Sequence, residues 1–401
     1  LCRYLDQPDT RGALDSLWHR IVDRRIYVTG GVGGPAHAEQ FADDWVLDNA
    51  RCYCECCANI AYGQWNHRLN LLSREAKYID LVEIEAYNAG LSGISLPGTE
   101  YFYRNPLMCN KQNRSNPHTG VRTRYLFCCP AKLPGFVAGI SRWIYTRDDQ
   151  GIYVNLYVGG KAKVELPNGS AKLTQATRYP WDGDVTFTME LEQSTTFDLC
   201  LRIPGWALGR PFPSDLYRFA DPSPVDWKVS INGESIDTRE LQRGYLRIGR
   251  KWQTGDVVRL HLPMPVRRVY ANEQVRQDRG RVALMRGPMI YCLEGVDHEF
   301  SVLEMRLPKD AELQAEHRPD LLGGVTVLQG RGADSVDGSV EFTAVPYYAW
   351  QNRGLEEMTV WLIEDRDVAL TAEGGEQAGP MAVPDPANLL TSGSVSASCA
   401  L

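Results

Sequence analysis

Six of the chain's eleven cysteines fall into two tight groups, Cys52, Cys54, Cys56 and Cys57 in CYCECC, then Cys128 and Cys129 in CCP. Adjacent cysteines make poor disulfides with one another, because the bond needs a Cα separation and dihedral that neighbours reach only under strain. Clusters of this kind read instead as metal ligands or reactive thiols. Glu55 stands just before Cys56 and Cys57, so a carboxylate oxygen with the sulfurs of Cys57, Cys128 and Cys129 can make a tetrahedral set for zinc. The spacing is not the paired CxxC of zinc ribbons, and Cys52, Cys54 and Cys56 offer rival sulfurs. On residue type alone, buried core cysteines without a ligand are the alternative. Glu39, in a Gly-rich loop upstream of the first group, is the other candidate for chemistry; the plain alternative is a solvated surface carboxylate.

Those residues lie in the part of the chain whose pattern is helical. LDSLWHRIVDRRIYV, CCANIAYGQWNHRLNLLS and EAKYIDLVEIEAYNAGLSGI repeat apolar residues at spacings of three and four, which predicts three helices before about residue 100. Between the first two, TGGVGGPAHAEQFADDW lets the backbone turn sharply around a site. After residue 150 the pattern changes to alternating strands, among them GIYVNLYVG, KAKVEL, DVTFTMEL, TFDLCLRI, WKVSING, YLRIGR, DVVRLHLP and RVALMRGPMIYCLEG, punctuated by PNGS, WDGD and INGES. That rhythm predicts antiparallel sandwiches rather than a parallel sheet. Trp181, Trp206, Tyr347, Tyr348 and Trp350 could stack on a sugar ring, though core packing is the commoner use of such aromatics. Residues 369–401 are rich in Gly, Pro, Ser and Ala and read as a linker or the start of a further module.

Composition narrows the partners. With 43 basic against 50 acidic residues the net charge is −7, and the pI is near 5.6. The signs are interspersed, so no basic face invites nucleic acid or an anionic membrane; a neutral ligand such as a carbohydrate fits better. No apolar run approaches the roughly 20 residues that a helix needs to span a bilayer. The opening residues carry no initiator Met and no signal-peptide pattern, so localisation is not written there. The clustered thiols favour a reducing compartment such as the cytoplasm.

In order along the chain, TGGVGGPAHAEQF, CYCECCANIA, IEAYNAGLSGISLPGTEYFYRNPL and RYLFCCP closely resemble glycoside hydrolase family 127, whose members include β-L-arabinofuranosidases. RYPWDGDVTFTMELE, LRIPGWA, GRVALMRGPMIYCLEGVD and TAVPYYAWQNRGLEEMTVWL extend the likeness to about residue 365. The resemblance implies an α+β multidomain protein: residues 1–145 as the C-terminal part of a helical (α/α)6 barrel, and 146–368 as antiparallel β-sandwich domains. It implies a retaining glycosidase with zinc held by Glu55, Cys57, Cys128 and Cys129, Cys128 as nucleophile and Glu39 as acid/base. Glu83 and Tyr103 match positions that line the sugar pocket. The sequence departs from the family at Ala38, where relatives often carry Gly, and at Cys56, a rival sulfur between two ligands. The resemblance further implies that the rest of the barrel, with its sugar-binding histidines, lies upstream, that the chain alone shows little activity, and that exposed apolar helix faces promote association such as a homodimer.

The chemistry is coherent. Zinc pulls a thiol well below its ordinary pKa of roughly 8.5 and so supplies a nucleophile at neutral pH. A thiolate close by tends to keep Glu39 protonated, as the first step of a retaining reaction requires. Two other classes remain open at this stage: a structural zinc or thiol-switch protein in which Glu39 has no chemical role, and a non-catalytic carbohydrate-binding protein.

Overall fold

Helix α1 (Pro8–Arg24) turns Trp18, Ile21 and Val22 inward, the three-and-four spacing of a core-facing stripe. The computed structural model describes residues 8–35, 39–110, 128–167, 169–238, 240–336 and 338–364, all within one unit of the chain. Periodicity alone carries the first helix on to Val28, but it stops at Arg24 because Ile26 pairs with Val32 across a tight turn. Gly30 makes that turn possible: its φ is +79°, and a Cβ there would stand 2.8 Å from the Glu85 backbone.

Helix α2 (Cys56–Ser73) ends where Arg74 takes the left-handed conformation and returns its N–H to the Asn70 carbonyl. Helix α3 (Ala76–Glu85) is shorter than its apolar pattern, passing into a π-turn at Ala86–Gly90 and a 3-10 turn at Leu91–Gly93. Asn88 accounts for the change. Its buried amide donates to the Ile84 and Pro288 carbonyls and accepts from the Ile290 N–H, docking the turn onto the strand-rich part. Two helices beyond the three expected follow, α4 (Cys129–Gly139) and the short α5 (Ser141–Ile144). Strand β1 (Met108–Cys109) precedes them.

The remaining chain is strand. β2 (Tyr145–Arg147), β3 (Gly151–Val154), β4 (Gly160–Leu166), β5 (Gly169–Thr177), β6 (Asp184–Leu191), β7 (Thr195–Arg202) and β8 (Tyr217–Phe219) come first. β9 (Lys228–Ile231), β10 (Glu234–Ser235), β11 (Tyr245–Trp252), β12 (Val257–His261), β13 (Val266–Ala271), β14 (Arg281–Arg286) and β15 (Met289–Glu294) follow. The last are β16 (Leu313–Arg318), β17 (Val325–Ala333), β18 (Ser339–Pro346), β19 (Met358–Thr359) and β20 (Leu362–Ile363). Among the described residues one sheet runs β10-β9-β12-β6-β5-β4 and another β11-β7-β3-β2; the third runs β16-β17-β18-β15-β14-β13-β8, with β1, β19 and β20 attached. Among the described strands pairing is antiparallel as the turn signals predict, apart from the parallel pair of β3 and β7; the isolated bridge of Arg306 and Ile363 is parallel too. Strand β6 shows the reason for the alternation: Val185, Phe187, Met189 and Leu191 are buried in the same cluster as Leu199, Leu201 and Trp252. Mixed helix and sheet is thus the architecture. Residues 369–401, read as a linker, lie outside the described residues.

Two further connections between the helical part and the sheets bear on the site. Arg202 at the end of β7 is fully buried and bridges Asp80 (2.6 Å) and Glu83 on α3. The segment after the 3-10 turn is clasped by the third sheet: Phe102 stacks on Trp350 at 4.5 Å, the Tyr347 hydroxyl reaches the Asn105 and Pro106 carbonyls at 3.0 Å, and β1 pairs with β19. Of the five aromatics considered for sugar stacking, Trp206, Tyr347 and Trp350 are core residues; Trp181 and Tyr348 are partly buried against the core.

Candidate metal and catalytic centre

Two helix N-termini meet at the thiols. Glu55 is the N-cap of α2 and Cys57 lies in its first turn; Cys128 is the N-cap of α4 and Cys129 its first helical residue. Helix N-termini carry partial positive charge, so both present anion-favouring ends to the same point. Pro130 suits the start of α4, where its missing N–H would have no helical partner. Below the thiols, Cys56, Ile60, Leu133 and Phe136 pack α2 against α4.

One ligand atom each from Glu55, Cys57, Cys128 and Cys129 lie within 4.8 Å of one another. Cys128 Sγ is 3.1 Å from Glu55 Oε1 and 4.0 Å from Cys129 Sγ; Cys129 Sγ is 3.7 Å from both Cys57 Sγ and Glu55 Oε1. A tetrahedral zinc with Zn–S of about 2.3 Å and Zn–O of about 2.0 Å requires edges of about 3.8 Å between sulfurs and about 3.5 Å from sulfur to oxygen. The donor set fits that ion in both element and spacing. Without a cation the thiols oppose one another's ionisation. Burial, then contact with Cys128 and Cys129, raises Cys57; Cys56 and burial raise Cys129; desolvation and the adjoining Glu55 carboxylate push Cys128 up to about 11.

Exposure separates the four. Glu55 and Cys129 are buried and Cys57 half-buried, while Cys128 is exposed. Cys56, the rival inside the ligand motif, is not one of the four: its sulfur lies 2.8 Å from the Phe102 carbonyl and 3.3 Å from Asn105 Nδ2, although it stays close enough to Cys129 to raise that thiol. Adjacent residues on a helix are about 100° apart around the axis, so Cys56 and Cys57 cannot face the same way.

Glu39 is held beside this centre by the Gly-rich loop. Gly34 N–H donates to the Gln40 carbonyl and the Gly34 carbonyl accepts from Tyr53 N–H, strapping the loop to the residues just before Glu55. A Cβ on Gly34 would meet Ala42 N at 2.4 Å, so only glycine permits the approach. The Tyr103 hydroxyl donates to Glu39 Oε1 at 3.2 Å, and the Tyr53 hydroxyl approaches that of Tyr103 at 3.5 Å. Burial first, then Tyr53, Glu55 and Cys128, raise Tyr103, so this phenol adjoins both the acid and the thiol cluster.

Glu83, the remaining residue of the sequence reading, is not brought to the cluster. It is fully buried, and its Oε1 accepts from Tyr179 (2.7 Å) and Arg202. Sequence reasoning missed Tyr53, Asn59 and Asn105. Asn59 Nδ2 donates to the Cys54 carbonyl (3.1 Å) and Oδ1 accepts from Val32 N–H (2.9 Å); Asn105 Nδ2 also donates to Cys54 O (2.8 Å). All three sit inside the motifs CYCECCAN and YFYRNP, where the signal was present but outshone by the cysteines.

Three family descriptions match in succession: the GH127 β-L-arabinofuranosidase catalytic domain over residues 3–142, the middle domain over 151–264 and the family C-terminal domain over 266–363. The chain belongs to glycoside hydrolase family 127. It is 32% identical over 385 residues to the non-reducing end β-L-arabinofuranosidase of Bifidobacterium longum subsp. longum, covering 88% of this chain and 56% of that protein. A solved GH127 β-L-arabinofuranosidase from Geobacillus stearothermophilus T6 superposes with a TM-score of 0.83 at 38% identity, over 91% of this chain and 58% of that one. A second solved GH127 β-arabinofuranosidase gives 0.82 at 38%, over 88% and 56%. This GH127 chain therefore spans a little over half the length of those relatives.

Proposed function

We propose that the chain carries the catalytic centre of a retaining, exo-acting glycosidase for β-L-arabinofuranosides or a related furanose, with carbohydrate as its partner. The observation that carries this reading is the exposure of Cys128 within a four-ligand cluster whose other members are sheltered. A structural zinc site is closed on all sides, whereas a catalytic one leaves a position that substrate can reach. The donor set of Glu55, Cys57, Cys128 and Cys129 would hold zinc, which keeps the thiol ionised at neutral pH and disperses charge on the sulfur.

In the first step the Cys128 sulfur attacks the anomeric carbon and forms a thioglycoside. The bond to the leaving oxygen breaks as the Glu39 carboxyl gives that oxygen its proton. Tyr103 occupies Glu39 Oε1, which leaves Oε2 to carry the proton. In the second step the Glu39 carboxylate takes a proton from water, the water oxygen bonds to the anomeric carbon, and the Cys128 thiolate departs. Two inversions give net retention. Tyr103 lines the sugar pocket in this reading, whereas Glu83 is held by Tyr179 and Arg202 away from the thiol cluster. The helices within residues 1–145 belong to an (α/α)6 barrel, and 146–368 are β-sandwich domains that brace it. Exposed Leu17, Leu71, Leu72 and Val137 are apolar surface through which two copies would associate as a homodimer.

An electrophilic arabinofuranose analogue, followed by peptide mapping, tests the reading. Label on Cys128, lost in Cys128→Ser, is the expected result. Label on Cys129 or Cys56 would overturn the assignment. Glu39→Gln should abolish hydrolysis of aryl furanosides while leaving metal content intact, which separates this reading from a structural zinc or thiol protein; binding of glycans without turnover would favour a carbohydrate-binding module.

A further inference from the structure

On the third sheet, far in sequence from the thiols, a cavity of about 500 Å³ opens between the ends of β8, β13 and β14. Four cationic side chains line it: Arg218, Arg279, Arg281 and Lys309. That is unusual in a chain of net charge −7. None of the four has a carboxylate within ion-pair distance among the described residues. Arg218 lies over the Tyr270 ring (5.1 Å), Arg279 Nε donates to the Glu273 carbonyl (2.7 Å), and Arg281 donates to the Trp361 carbonyl (3.2 Å).

The acids in the lining do not cancel this charge. Glu364 is bound from outside the cavity's cations, by Arg268 at 2.8 Å and by the Tyr270 hydroxyl at 2.8 and 2.9 Å to its two oxygens. Asp278, a buried part of the lining, accepts from Asn49 Nδ2 at 2.7 Å and offsets part of the Arg281 charge. Burial pushes its carboxyl up to about 7, so near neutral pH it is only partly charged. Glu273 remains, one exposed carboxylate against four cations.

We infer that this cavity binds the oxyanion group of a small polar ligand, a carboxylate or a phosphate. Arginines held by backbone carbonyls and by an aromatic face keep their remaining N–H groups free for an anion, and guanidinium suits planar, bidentate recognition of either group. Cations sharing one concave site raise each other's energy until an anion enters, which supplies the drive to bind.

The test is titration of the full chain with galacturonate, with inorganic phosphate and with neutral galactose, followed by calorimetry or by NMR. The double variant Arg218→Gln, Lys309→Gln changes two exposed side chains remote from the thiols and serves as the comparison, with its melting temperature checked against the parent. Saturable binding of galacturonate that weakens at least tenfold in the variant, and weakens with added salt, supports a carboxylated sugar as the ligand. The same behaviour with phosphate alone supports a phosphorylated one. Equal binding of galactose, binding unchanged in the variant, or no saturable binding of either anion overturns the inference.

Discussion

The proposed zinc site makes a stoichiometric demand that calorimetry can read. In the ion-free site Cys128 is pushed up to about 11, and Cys57 and Cys129 are raised further still, so at pH 7 all three sulfurs carry protons. Zinc binds thiolates, so loading the site must release about three protons per ion. The sign follows directly: affinity rises with pH and is lost on acidification, with an apparent constant that changes about a thousandfold per pH unit while all three thiols remain protonated in the free site. Repeating the zinc titration in buffers of different ionisation enthalpy gives the proton count from the slope of observed heat. Cys57→Ser should lower the count by one and weaken binding by several orders of magnitude. A count below two in the parent chain would refute the assignment of three sulfur ligands, and a count unchanged in Cys57→Ser would remove that residue from the set.

Cys56→Ser should leave zinc content at one ion per chain, measured by elemental analysis, because the Cys56 sulfur bonds to Phe102 O and Asn105 Nδ2 and is not among the four converging ligand atoms. Arg202→Met should lower stability by about 3–5 kcal/mol in urea unfolding, since it leaves Asp80 and Glu83 as unpaired acids behind β7. Asp278→Asn should abolish a pH dependence. The folded carboxyl stands at about 7 against an ordinary 3.8, so folding takes up a proton in that window and stability falls as pH rises through it. At about 1.4 kcal/mol per pH unit the parent loses roughly 4 kcal/mol relative to the variant between pH 4 and 8. A difference between the two unfolding curves that stays flat from pH 5 to 8 would count against it.

What the sequence made legible was whatever a single periodicity or a rare residue type announces. Helices α1 to α3 follow from apolar spacing, and β6, β7 and β11 from clean alternation. Strand β16 escaped because Leu313–Arg318 is polar on both faces and lies at a sheet edge. Strand β5 escaped because Gln175 occupies an inward position, where its amide donates to the Leu156 and Val158 carbonyls. The shortened α3 was unreadable because its end is dictated by Asn88 bonding to Pro288 and Ile290, two hundred residues away in the chain. The thiol cluster was visible as composition and ordered motif. Residue type and spacing did not say which of Cys56 and Cys57 faces the ligand point, which only the family resemblance assigned to Cys57, because that depends on where α2 begins, and the start is fixed by the Cys56 N–H bonding to the Tyr103 carbonyl.

That last bond shows how the strand-rich part takes part in chemistry it never touches. The Tyr101–Asn105 segment holds three elements of the centre at once: the Tyr103 carbonyl fixes the first turn of α2, the Tyr103 hydroxyl orients Glu39, and Asn105 turns the Cys56 sulfur aside. The segment has little regular structure of its own. It is held by Phe102 against Trp350, by the Tyr347 hydroxyl on its carbonyls and by β1 on β19, all contacts with the third sheet. Burying Phe102 is worth about 2–3 kcal/mol and fixes a position more than it adds stability. If the proposed retaining pair operates here, its members must be set about 5 Å apart, so loosening the Trp350 contact would show in rate as well as in stability. On the proposed mechanism, Trp350 and Tyr347 are therefore the clamp that holds Tyr103 between Glu39 and the thiols.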